Sequence, residues 1–203
     1  MKTIYTLLSL LIINLIYSQT IKPISSFYTE SLPTTPIDQV YYKDVFNMYD
    51  PFVGTWYSQN GNQTFIVTIW KQTKYPSDNS SKPLYYMDNL FGHYKLVENY
   101  GSLNEEIIYT SETTYLNSSQ LINTIINGDS IEFNKMTAII YDINTRSDNF
   151  MYYFGKKGYL IFTIDANSSN SAHWEIENAN EENMTGIPTP TFVIPTDIIL
   201  TKQ

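Results

Sequence analysis

The sequence has no Cys, a single Arg (Arg146), 2 His and only 8 Gly in 203 residues. Without Cys there is no disulfide framework, no thiol nucleophile, no thiolate metal ligand and no thiol for a lipid anchor, so the fold has to rest on its core. Charge is sparse: Asp, Glu, Lys and Arg make up 16% of the chain, with 12 Lys plus Arg against 20 Asp plus Glu and a formal net charge of -8. A phosphate-backbone binder needs a clustered excess of Lys and Arg, so nucleic acid is not an expected partner. What is abundant is apolar and aromatic matter, 42% hydrophobic and 15% aromatic with 18 Tyr. That is too apolar for a disordered chain, and a single domain of this size buries about 70% of its unfolded surface.

Long apolar runs are also scarce. One stands at the N-terminus: Met1 and Lys2 precede a run from Leu7 to Ile16, broken by Ser9 and Asn14 and followed by Tyr17, Ser18 and Gln19. The run is about half the length of a membrane-spanning helix and ends at a small residue, which is the pattern of a cleaved signal peptide. The expectation is a signal peptide over 1–18, a mature chain beginning at Gln19, export to the periplasm or beyond, and no transmembrane anchor after cleavage. Residues 19–40 read as a flexible, extended arm, since Pro23, Pro33 and Pro36 exclude a helix interior. The next stretch, Asp38 to Asp50, allows a short helical turn before Pro51.

Beyond Phe52 the chain alternates with period 2. Phe65, Val67 and Ile69 share one face, as do Leu90, Tyr94 and Leu96, then Leu160, Phe162 and Ile164, and last Ile198 and Leu200. Turn residues stand at Asn60-Gly61, Asp88-Asn89, Asn127-Gly128-Asp129 and Lys156-Lys157-Gly158. Pro76 to Pro83 and Ala166 to Ala172 read as polar connections, and Asn178 to Thr191 as an excursion from the sheet. Close strand spacing without helical patterns predicts an all-β domain over 41–203, an antiparallel up-and-down barrel of roughly eight strands.

Tyr41-Tyr42-Lys43-Asp44-Val45, Phe52-Val53-Gly54-Thr55-Trp56, Asn62-Gln63-Thr64-Phe65, the Asp88 to Lys95 stretch, His173-Trp174-Glu175-Ile176 and the ending Pro190 to Pro195 with Ile198 to Lys202 resemble a family of short exported Bacteroidota proteins known as a domain of unknown function. The resemblance covers most of the chain from about Tyr41. It implies a lipocalin-like barrel and no established activity. Gly54-x-Trp56 is also similar to the opening signature of lipocalins and other calycins, in which a Trp entering the first strand plugs the closed end of the barrel. Lipocalins carry an Arg near the last strand; here Lys202 is the cation placed to cover the Trp56 face. Gly54, Trp56 and Lys202 are therefore the expected barrel-end group, with Gly54 letting the N-terminal segment pass close beneath. Phe65, Val67, Ile69, Tyr94, Leu160 and Phe162 are the expected core or ligand lining.

Residues able to do chemistry are few. His93 and His173 fall out of phase with their apolar neighbours and are expected to face solvent, and neither a nucleophile elbow nor a paired-His metal motif is present. Asp142, Asn144 and Asp148 resemble part of a calcium loop but lack its Gly and terminal acid, and read as a polar hairpin. Glu105 and Glu106 are adjacent, hence on opposite strand faces, and cannot act as a facing pair. No catalytic, cofactor-binding or metal residue is assigned, and no cofactor is expected. Asp129-Ser130-Ile131 resembles a short O-glycosylation acceptor and marks an expected exposed site. Tyr85, Tyr86, Tyr94, Tyr109, Tyr152, Tyr153 and Tyr159 stabilise strands or present an aromatic partner-binding face.

Two functions follow for a chain expected to be a monomer and not an enzyme. One is an exported barrel holding a small apolar ligand. The other is a cell-envelope protein-interaction module using exposed Tyr-rich strands. A hydrolase has no convergent acid, base or nucleophile to support it.

Overall fold

The structure, a computed structural model, describes residues 19–34, 40–78, 80–112, 126–130, 132–146, 154–179 and 190–203. Residues 1–18, expected to be a signal peptide, lie outside them, as do Ile131, Asp148, Tyr152 and Tyr153. Two compact units are formed, one by the described residues up to Phe46 with Thr73–Asp88, the other by Asn47–Gln72 with Asn89–Gln203.

The first unit holds β1 (Ile21–Pro23), a helical turn α1 (Ser26–Thr29), β2 (Val40–Lys43) and the adjoining ends of β4 (Gln63–Pro76) and β5 (Tyr85–Glu98). This corrects two expectations. The arm is hydrogen-bonded, β1 pairing in parallel with β2 and β2 in parallel with the start of β5, so these neighbours are not antiparallel. Its Ser, Thr and Pro residues are interspersed with Ile24, which is buried, and Phe27, whose ring meets those of Tyr42 and Tyr85 edge-on at 5.3 Å each. That apolar contact outweighs the extended preference of the prolines. Val40–Lys43 is likewise a strand, with three of its four residues buried, rather than the start of a helical turn.

The second unit is a closed, antiparallel, up-and-down barrel of eight strands. β3 (Gly54–Asn60), β4, β5, β7 (Ile126–Asp129), β8 (Lys135–Asp142), β9 (Lys156–Asp165), β10 (Ser168–Asn178) and β11 (Asp197–Lys202) each pair with their neighbours. β11 returns to β3 through Lys202 opposite Trp56, and β5 to β7 through Leu90 opposite Gly128. Closure leaves no open edge in this ring. β6 (Glu106–Thr110) is an outlying hairpin partner of β5, with a bulge between Leu96 and Val97.

Several turn residues lie inside strands. Gly61 makes the β3–β4 turn at φ +64. Asp88-Asn89, Asn127-Gly128-Asp129 and Lys156-Lys157-Gly158 instead belong to β5, β7 and β9. Gly128 is required by close approach and not by a turn: a Cβ there would stand 2.4 Å from the Ala138 Cβ on the paired strand. Ala166-Asn167 alone turns between β9 and β10, because pairing of β10 already begins at Ser168 opposite Asp165.

Candidate functional site

The alternation that builds the strands sends Trp56, Phe65, Val67, Ile69, Leu90, Tyr94, Leu160, Phe162 and Trp174 to the barrel interior, all of them buried. Their rings touch in sequence across it. Phe162 meets Phe52 at 6.2 Å, Trp56 at 5.0 Å and Trp174 at 6.4 Å, and Phe65 bridges Trp174 at 5.6 Å to Tyr94 at 5.8 Å. Most of these contacts are edge-on, the arrangement that aromatic quadrupoles favour. Leu160 and Phe162, like Phe65, Val67 and Ile69, are thus buried in the barrel interior.

At one end the structure brings Gly54, Trp56 and Lys202 together. The Trp56 indole N–H donates to the Phe52 carbonyl at 2.9 Å, and the Lys202 ammonium lies 5.1 Å from the indole centroid while donating to the Pro51 carbonyl at 3.0 Å. Burial pushes the Lys202 pKa below its ordinary 10.5. Gly54 makes room for this lysine rather than for an N-terminal segment, since a Cβ at Gly54, where φ is +137, would stand 2.7 Å from Lys202 Cε. The three residues form a packed barrel end.

At the opposite end lies the segment around Pro190 to Pro195, which the family resemblance includes but to which sequence reasoning gave no role. Residues 190–196, between β10 and β11, are held by buried polar groups. Asp142 accepts from the Val193 and Ile194 N–H groups at 2.6 and 3.2 Å and from the Asn144 N–H at 3.0 Å. The Lys156 ammonium donates to the Pro190 carbonyl at 2.7 Å and lies 5.0 Å from the Phe192 centroid, and the Trp174 indole donates to the Pro195 carbonyl at 2.8 Å. Tyr94 reaches the same end, its hydroxyl donating to the Tyr141 carbonyl and accepting from the Ile143 N–H, both at 2.9 Å. Asp142 is therefore committed to peptide N–H groups, a structural use of the carboxylate read from sequence as part of a hairpin. The advance signals were the family resemblance over Pro190 to Pro195 and the apolar triplet Phe192-Val193-Ile194 within it.

His93 corrects the expectation of a solvent-facing side chain. Its ring lies 5.0 Å from that of Trp70, its Nδ1 is buried without a hydrogen-bond partner, and burial holds its pKa below the ordinary 6.5 against the opposing pull of Glu112. His173 is partly exposed and donates through Nε2 to Asp197 at 2.7 Å. The two histidines are on different strands and share no partner among these contacts. Ser130 is also corrected: it is buried, and its hydroxyl contacts the Lys135 carbonyl at 2.6 Å and the Glu132 carbonyl.

The tyrosines divide. Tyr94 is buried, Tyr85, Tyr86 and Tyr109 are half-buried, and Tyr159 is exposed. Burial holds the Tyr85 and Tyr109 hydroxyls above their ordinary range. In the first unit Tyr41 donates to buried Asp88, which also accepts from the Asp44 and Lys74 N–H groups at 3.0 Å each. Burial first, and then this hydrogen bond, raise the Tyr41 pKa.

An exposed apolar group stands on the β5–β6 hairpin. Leu103 is 106% exposed, and Tyr100, Ile107 and Ile108 on the same hairpin are exposed as well, the last two on opposite faces of β6. Tyr57 on β3 meets Tyr100, rings 5.5 Å and hydroxyls 3.4 Å apart, and that hydrogen bond pushes the Tyr57 pKa up to about 12.

Among the described residues, no group of three or more His, Cys, Asp and Glu side chains is arranged to hold a metal ion, and no helix is long and apolar enough to cross a membrane. No curated protein and no solved structure matches the chain. A family model matches residues 1–203 in full, and the chain belongs to that family, described as Family of unknown function (DUF6705).

Proposed function

We propose that this chain is an exported, non-enzymatic barrel that works as a rigid binding module, presenting the apolar β5–β6 hairpin to a protein of the cell envelope. The observation that carries the reading is a contrast. Aromatic side chains from Phe52 to Tyr94 meet inside the barrel, whereas Tyr100, Leu103, Ile107 and Ile108 are exposed on the hairpin. Exposed apolar groups of this kind are costly to maintain and are characteristic of interaction surfaces. The same internal packing weighs against a small apolar ligand on the barrel axis, because the rings meet where it would lie. Export rests on the N-terminal pattern, and kinship with lipocalins on Gly54-x-Trp56 with Lys202 across the indole.

The test compares capture from envelope extract by the wild-type protein and by a variant with Tyr100, Leu103, Ile107 and Ile108 all replaced by Ser. The expected result is a saturable partner retained by the wild type and lost by the variant at unchanged melting temperature. Equal capture by both, or none above background by the wild type, overturns the proposal.

A further inference from the structure

We propose that Tyr57 and Tyr100 form an oxidative cross-linking site, at which hydrogen peroxide used by a haem peroxidase joins the two rings through one carbon–carbon bond and staples the β5–β6 hairpin to β3. The inference goes beyond the binding reading of that hairpin and stands whether or not the hairpin has a partner.

Both backbones are fixed in place. Tyr57 lies in β3, opposite Ile66 on β4 and Thr201 on β11. On either side of Tyr100, the Asn99 N–H donates to the Asn62 carbonyl at 2.7 Å and the Gly101 N–H to the Glu105 carboxylate at 2.8 Å. The ring centroids are 5.5 Å apart but the hydroxyl oxygens only 3.4 Å, so the rings converge at their hydroxyl ends. Those ends carry the Cε carbons, the positions at which oxidised phenols couple. Two other tyrosine pairs meet ring to ring among the described residues, Tyr42 with Tyr85 at 5.8 Å and Tyr94 with Tyr109 at 6.2 Å. Each is edge-on at 82°, which sets the edge of one ring against the face of the other, and Tyr42 and Tyr94 are buried. The rings of Tyr57 and Tyr100 are inclined by only 41°; Tyr57 is half-buried and Tyr100 exposed, so an oxidant in solvent reaches this pair.

The step balances. The oxidant removes the hydroxyl hydrogen, as one electron and one proton, from each tyrosine and leaves two phenoxyl radicals whose unpaired spin lies partly on Cε. The two spins pair as a Cε–Cε bond, and the hydrogen on each bonded carbon moves to the oxygen of its own ring, which restores both phenols. Hydrogen peroxide takes up the two electrons and two protons and leaves as two waters, so the protein loses two hydrogen atoms and nothing else. Rings already held together couple within one chain faster than between chains. The link joins residues 43 apart in sequence and so restricts the unfolded chain.

The experiment treats the dilute, purified full chain with hydrogen peroxide and a haem peroxidase, with free tyrosine as the check that the oxidant couples phenols, and reads intact mass, peptide mass mapping and dityrosine fluorescence. The expected product is a monomer lighter by two hydrogen atoms, with a linked peptide pair joining Tyr57 to Tyr100 and a raised melting temperature. Tyr57→Phe and Tyr100→Phe should each lose that link, while Tyr109→Phe keeps it. Linkage between chains only, a link between other tyrosines in its place, or no linked pair under conditions that couple free tyrosine overturns the proposal.

Discussion

Replacing Trp56 by Ala is expected to cost roughly 3 to 5 kcal/mol of folding stability, as the loss of a fully buried indole leaves both a transfer and a cavity term. The side chain has no exposed surface, packs edge-on against Phe162 and satisfies the Phe52 carbonyl, so the site has several partners to lose. Lys202→Ala removes a half-buried cation over the ring and one hydrogen bond, for about 1 kcal/mol or less. Gly54→Ala is destabilising for a different reason: φ is +137, and the new Cβ would collide with Lys202 Cε. The double variant Gly54→Ala with Lys202→Ala relieves that collision, so the two costs should sum to more than the cost of the pair. Urea titration of the four proteins checks the ranking. A Trp56→Ala cost below about 1 kcal/mol, or strict additivity of Gly54 and Lys202, would refute this account of the barrel end.

Alkaline pH should destabilise the fold. Tyr57 is held up to about 12 and Tyr41, Tyr85 and Tyr109 are also raised, so the folded state keeps protons that the unfolded chain loses from the ordinary 10.0 upward; stability present below that pH declines as it rises, and Tyr57→Phe should flatten the slope. His93 acts at the other end of the scale: with a folded pKa below 6.5, its contribution is present above that value and is lost as pH falls, and a His93→Gln variant whose melting temperature has the same acid dependence as wild type would contradict this. Asp142→Ala should cost about 3 kcal/mol or more, since the Val193 and Ile194 N–H groups lose their acceptor, whereas Asp142→Asn keeps an acceptor oxygen and should cost less by the same urea titration.

The barrel was legible wherever one strand face is buried, because period 2 then writes the interior directly: Phe65, Val67 and Ile69 on β4, and Leu160, Phe162 and Ile164 on β9. Glycine was misread where its role depends on a neighbouring strand. Gly128 looks like a turn residue in sequence but serves the approach of Ala138, ten residues further on. Periodicity also assigned His93 to the outer face without telling that Trp70 lies over it. The role of residues 190–196 was least legible, because Asp142 meets Val193 from 51 residues away and no local pattern encodes so distant a hydrogen bond. Gly54-x-Trp56 stood out as a motif, but that Gly54 accommodates the lysine stem was visible only in three dimensions.

The central claim is that side chains occupy the barrel interior and leave the work to the surface. Diffraction from a crystal held under xenon pressure tests this most directly, since xenon enters apolar cavities that exist and marks them in the density. The account predicts no xenon among Trp56, Phe65, Tyr94, Phe162 and Trp174. A xenon site enclosed by those rings would contradict it and return the interior to the reading of a small apolar ligand.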